Sequence, residues 1–99
     1  DGATVNIATS VISNNISTGD GGGLFNNAGT MTVTYSTVSN NSGSDGGGIY
    51  SNGGDLYVAY STVNNNSSSN RGGGIHVYPG NATILNSTIA DNSSTKNGG

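Results

Sequence analysis

Of the 99 residues, 30% are hydrophobic, 7% are charged and 18 are glycine, a balance that excludes a large globular interior and, taken without order, describes a flexible polar chain. The net charge is −3, with Arg71 and Lys96 the only fixed cations, which argues against the basic footprint that nucleic-acid binding needs. No run approaches the length of a membrane-spanning helix, and with no cysteine there is neither a disulfide framework nor a thiolate metal site.

Order along the chain overturns the disordered reading. Val5-Asn6-Ile7-Ala8-Thr9 alternates apolar and polar side chains, and Ser10-Val11-Ile12-Ser13-Asn14-Asn15 follows. Then Gly21-Gly22-Gly23-Leu24-Phe25 opens a unit that returns as Gly46-Gly47-Gly48-Ile49-Tyr50 and Gly72-Gly73-Gly74-Ile75-His76, with Gly98-Gly99 at the end of the chain. The successive spacings, Gly21 to Gly46, Gly46 to Gly72 and Gly72 to Gly98, are 25, 26 and 26 residues. A fixed period of about 20–50 residues denotes stacked units, none of which can bury its apolar face alone.

Within each unit three short strands are predicted. The first carries Leu24-Phe25, Ile49-Tyr50 and Ile75-His76. Turns at 26–30, 51–55 and 77–81 follow, with Gly29, Gly54 and Gly80 in one column; Pro79-Gly80 reads as a type II turn. The second strand has period two, which places Val5, Met31, Leu56 and Ala82 in one inward column and Ile7, Val33, Val58 and Ile84 in another. The third points Ile12, Val38, Val63 and Ile89 inward. The one-residue change of period falls between the asparagine and the next glycine triplet, so 42–45 and its counterparts read as a surface loop.

The predicted fold is therefore all-β: a single-stranded parallel β-helix with 25–26 residues and three short strands per rung, and just under four rungs. It comprises a partial rung at 1–20, rungs at 21–45, 46–71 and 72–97, and the start of another at 98–99. Rungs lie about 4.8 Å apart, so each residue stacks on its own equivalent. The crossover rule makes the coil right-handed. Because the chain starts and stops in mid-repeat, the expectation is a segment of a longer chain or a unit that stacks head to tail on copies of itself, its open edges templating further strands.

Columns are also the candidate sites. Asn15, Asn41, Asn66 and Asn92 form a predicted ladder, each residue suited to the left-handed conformation and to bonding the amide above. Phe25, Tyr50 and His76 are out of phase with the inward aliphatic residues and are expected outside, stacked on one another or on a glycan. Tyr35 and Tyr60 form a shorter column, read as inward with the hydroxyl reaching a partner. Among the Asn-x-Ser/Thr sequences, Asn40, Asn65 and Asn81 are the outward glycosylation candidates, whereas Asn15, Asn66 and Asn92 point in. The glycine triplets lack the Lys-Ser/Thr and the helix of a phosphate loop and read as close corners. The Thr37, Thr62 and Thr88 column is interrupted by Val11 and has no second threonine column beside it, which leaves an ice-binding lattice as a minor alternative.

No cofactor is expected. Calcium is the one metal alternative, through loop carbonyls, since Asp20 and Asp45 share a column that continues as Arg71 and Asn97 rather than as carboxylates. His76 belongs to the ring column before it belongs to any triad. With no glutamate and with aspartates scattered among turns, no catalytic pair is seen, so the chain is not expected to be an enzyme; as the scaffold of a polysaccharide-active enzyme it would need catalytic residues outside this segment.

The Gly-Gly-Gly-Leu/Ile element together with Ile12-x-x-Asn15, Val38-x-x-Asn41, Val63-x-x-Asn66 and Ile89-x-x-Asn92 resembles the repeats of polymorphic outer-membrane proteins and related bacterial or archaeal surface β-helices. Those repeats carry Gly-Gly-Ala-Ile and Phe-x-x-Asn motifs; here Gly stands for Ala, and Ile or Val for Phe. The resemblance covers nearly the whole chain. It implies a right-handed β-helix outside the cell, serving as a stalk, fibre or surface-adhesin segment. The implied partners are copies of the chain or flanking repeats, end to end, with glycans as candidate ligands of the outward aromatic and Asn/Ser/Thr columns.

Overall fold

The computed structural model describes residues 4–96, a β-solenoid of about four turns without a helix among them. The first turn holds β1 (Thr4–Ala8) and β2 (Val11–Ser13). The next holds β3 (Leu24–Asn27), β4 (Thr30–Thr34), β5 (Thr37–Ser39) and β6 (Ser42–Asp45). Then come β7 (Ile49–Asn52), β8 (Asp55–Ala59), β9 (Thr62–Asn64) and β10 (Ser67–Arg71), and finally β11 (Ile75–Val77), β12 (Asn81–Leu85), β13 (Thr88–Ala90) and β14 (Ser93–Ser94). Asp1, Asn97 and the further rung expected at Gly98-Gly99 lie outside the described residues.

Four parallel sheets run along the solenoid, in the orders β1-β4-β8-β12, β2-β5-β9-β13, β6-β10-β14 and β3-β7-β11. Register follows the repeat, with Val5 against Met31, Met31 against Leu56 and Leu56 against Ala82. The inward columns meet as a thin core of Met31, Val33, Val38, Ile49, Leu56, Val58 and Val63, flanked by Ile7, Ile12, Leu24, Ile75 and Val77. In the outer rungs the same columns are open: Val5, Ile84 and Ile89 are each about two-fifths exposed.

The structure adds a fourth strand, β6, β10 or β14, to each of the three later turns where the changing period implied a loop. β6 pairs Ser42 with Ser67 and Gly43 with Ser68, after which the register shifts and Asp45 meets Arg71. The extra residue of the longer rung is thus a bulge inside a strand, the usual way a ladder absorbs one residue. Serine, glycine and aspartate have little strand preference of their own; amides already held in register on both sides make these residues a strand.

Left-handed residues turn the corners. Thr9, Tyr35, Tyr60 and Asn86 have φ between 46 and 51°, and Asn14, Asn40, Asn65 and Asp91 between 55 and 59°. The left-handed place therefore belongs to the residue before each ladder asparagine, not to the ladder asparagine itself. The turn at Pro79-Gly80 also differs from expectation: Gly80 has φ 133°, well past the type II value of about +80°, and the Tyr78–Pro79 peptide bond is cis. The glycine triplets do make close corners. A methyl group on Gly47 would overlap the carbonyl oxygens of Ser67 and Gly73, and one on Gly48 would come within 2.9 Å of Asn66 Nδ2.

Candidate functional site

The corner between the second sheet and β6-β10-β14 is built on asparagine. Asn15 Nδ2 donates to Asn41 Oδ1, Asn41 Nδ2 to Asn66 Oδ1, and Asn66 Nδ2 to Asn92 Oδ1, each at 3.0 Å. The same oxygens accept the backbone amides of Asn15, Asn41 and Asn66 at 2.9–3.0 Å. The second hydrogen of each amide reaches back to a carbonyl of the turn before: Asn41 to Ile12, Asn66 to Val38 and Asn92 to Val63. Asn41 and Asn66 are 1% exposed, so every polar atom of these side chains that water would have served is served by a neighbouring turn.

A second ladder runs beside it and was not singled out from sequence. The amides of Ser10, Ser36 and Ser61 donate to Ser36 Oγ, Ser61 Oγ and Ser87 Oγ at 3.1 Å. Each hydroxyl donates in turn to the carbonyl two residues before it. The signal was present as an unbroken Ser10/Ser36/Ser61/Ser87 column, hidden by the abundance of serine elsewhere.

The aromatic columns differ from one another. Phe25 and Tyr50 stack with centroids 5.4 Å apart and Tyr50 and His76 with centroids 5.0 Å apart. Phe25 is exposed and His76 half-buried, but Tyr50, covered by a ring on each side, is 8% exposed. Burial pushes the Tyr50 phenol above its ordinary value, with Asp20 and Asp45 adding to the rise. Tyr35 and Tyr60 also stack, at 5.1 Å and within 5° of parallel. They face outward, 64% and 54% exposed, contrary to the inward reading: the left-handed corner swings both side chains off the core side.

Asp45 closes the neighbouring column. Its carboxylate accepts from Asn70 Nδ2 at 2.8 Å and from the Arg71 amide, Nε and Nη2 at 3.1–3.4 Å. Hydrogen bonding to the Arg71 side chain holds the Asp45 carboxyl below the usual carboxylate range, although burial acts the other way. Asn40, Asn65 and Asn81 are exposed; Asn81 Nδ2 donates to Asp55 Oδ1 at 3.4 Å. Among the described residues no three His, Asp or Glu side chains converge on a point that could hold a metal.

No curated protein and no solved structure matches the chain. A family pattern does, that of the Chlamydia polymorphic membrane protein repeat, over residues 9–27, 35–52 and 60–78. Each match begins on a left-handed corner residue, Thr9, Tyr35 or Tyr60, and takes in the ladder serine, the inward aliphatic, the ladder asparagine, the glycine triplet and the ring. With three consecutive turns matched over more than half its length, in the phase that the ladders and corners define, this chain belongs to the Chlamydia polymorphic membrane protein repeat family.

Proposed function

We propose that the chain is a structural segment of a surface-exposed β-helix outside the cell, a rigid rod that spaces or displays what is attached to it, with no catalytic role. The observation that carries this reading is where the recurring polar side chains go. The asparagine and serine columns bond turn to turn, Asp45 is held by Arg71 and Asn70, and His76 lies on Tyr50. Side chains so engaged hold a rod together rather than meeting a substrate. The membership of a membrane-protein repeat family supports a surface location. Antibody against the 99-residue chain is expected to label intact cells of the source organism as strongly as permeabilised ones; labelling confined to permeabilised cells would end the surface reading.

A second reading, a polysaccharide-binding module, is favoured by one observation: the Tyr35–Tyr60 pair is stacked, parallel and more than half exposed. Tyrosine offers an apolar face and a polar tip, the combination sugars engage. Tyr50 is buried between its neighbours, so binding would centre on Tyr35 and Tyr60. Replacing both with alanine is expected to abolish retention on an immobilised glycan, while Phe25→Ala leaves it intact; a glycan panel with no retention at all removes this reading.

A further inference from the structure

The outward tyrosine column holds two rings between two small side chains. Thr9, Tyr35, Tyr60 and Asn86 occupy the same left-handed corner of successive turns, and the amides of Thr9, Tyr35 and Tyr60 donate to the Thr34, Ala59 and Leu85 carbonyls of the turn that follows. Tyr35 and Tyr60 cover each other, 5.1 Å apart and within 5° of parallel. Each ring therefore has one covered face and one that looks toward the neighbouring turn, Tyr35 toward Thr9 and Tyr60 toward Asn86. Neither Thr9 nor Asn86 is long enough to cover a ring, and both are exposed. The other ring column shows what a second cover does: Tyr50, with Phe25 on one side and His76 on the other, is 8% exposed, against 54% for Tyr60. The surroundings of the open faces are uncharged. The outward columns beside the corner are Thr34/Ala59/Leu85 and Thr37/Thr62/Thr88. Leu85, exposed next to Asn86, adds an apolar flank. The fixed cations lie elsewhere, Arg71 in β10 on Asp45 and Lys96 after β14.

Resting on the polysaccharide-binding reading, we propose that the two open ring faces, Tyr60 above Asn86 and Tyr35 above Thr9, each take one pyranose of a neutral polysaccharide. The pyranose occupies the place that a third ring would hold in the column, one rung or about 4.8 Å along the rod, a gap close to its own thickness. Its C–H side lies on the ring, the apolar face that an aromatic side chain offers. Its hydroxyls turn toward water and toward the short polar side chain at the foot of the gap, the Asn86 amide or the Thr9 hydroxyl. A uronate or a sulfated sugar would meet no cation at this corner, so its charge would be brought against the rings without a partner. The covered faces of the pair take no part, and each ring serves as the rigid backing of the other.

The test closes the open faces without removing a ring. Thr9→Met combined with Asn86→Met lays a flexible thioether on each face, a contact that aromatic rings favour. On immobilised glucan, mannan, galactan and chitin, the unaltered chain is expected to be retained by at least one, and to pass through polygalacturonate unretarded. The double variant, folded by circular dichroism, is expected to bind that neutral polysaccharide about tenfold more weakly, although it keeps Tyr35 and Tyr60. A second measurement needs no variant: with a soluble oligosaccharide of the retained polymer, saturation of the sugar C–H protons is expected to reach the ring protons of Tyr35 and Tyr60 but not those of Tyr50. Undiminished retention of the folded double variant, retention on polygalacturonate alone, or transfer that misses Tyr35 and Tyr60 overturns this site while leaving the polysaccharide-binding reading standing. No retention on any of these polymers removes both.

Discussion

At the scale of the residue, Asn66 does the most varied work. Its side chain receives Asn41, reaches Asn92 and Val38, and sits where a β-carbon on Gly48 would not fit. Asn66→Ala leaves the Asn41 amide and one Asn41 Nδ2 hydrogen buried without an acceptor, so a loss of about 3 kcal/mol is expected in urea unfolding. Asn15→Ala, at an exposed edge, should cost well under half of that. Two titrations bound the stable range. The Asp45 carboxyl is depressed in the folded chain, so its contribution is complete above the ordinary value of 3.8 and is lost as pH falls below it. The Tyr50 phenol is raised, so its contribution holds below 10.0 and is lost as pH rises past that. Melting temperature followed across pH should fall at both limits, and Tyr50→Phe should remove the alkaline fall while leaving the acid one.

At the scale of the element, repetition made the inward columns legible: Met31/Leu56 and Val33/Val58 were readable because a period-two pattern recurred in fixed register. The β6-β10-β14 sheet was not readable, since its residues have no strand preference and their order is imposed by neighbours. The outward turn of Tyr35 and Tyr60 was hidden for a related reason. Positive φ is uncommon for aromatic residues, and nothing local in the sequence marks these two as corners. The ladder asparagines are legible as a column, but the left-handed conformation falls on the residue before each of them, Asn14, Asn40, Asn65 and Asp91. The bulge leads to a prediction. One alanine inserted between Ser69 and Asn70 is expected to leave the fold intact, because the register already shifts there. The same insertion between Tyr57 and Val58 reverses the facing of half a buried strand and should abolish cooperative unfolding as followed by circular dichroism.

At the scale of the whole molecule, the solenoid is one-dimensional: each turn touches the turns next to it, so stability is a sum of turns and of contacts between adjacent turns. Among the described residues the central turns pair on both sides and the outer ones on one. Hydrogen exchange is therefore expected to be slowest in β4, β5, β8 and β9 and fastest in β1 and β13; uniform protection would mean that the molecule opens only as a unit. The Asp45–Arg71 pair has a broader consequence for how such a rod can be written in sequence. An amide or a hydroxyl is its own best neighbour, so asparagine and serine can occupy one column without limit. A carboxylate is not: identical charges one rung apart repel by about 1 kcal/mol even in water, and more where solvent is thin. The column that runs Asp20, Asp45, Arg71 breaks its own repetition. Perfect copying is thus open only to uncharged columns, and a long array of this kind has to vary wherever it is ionised.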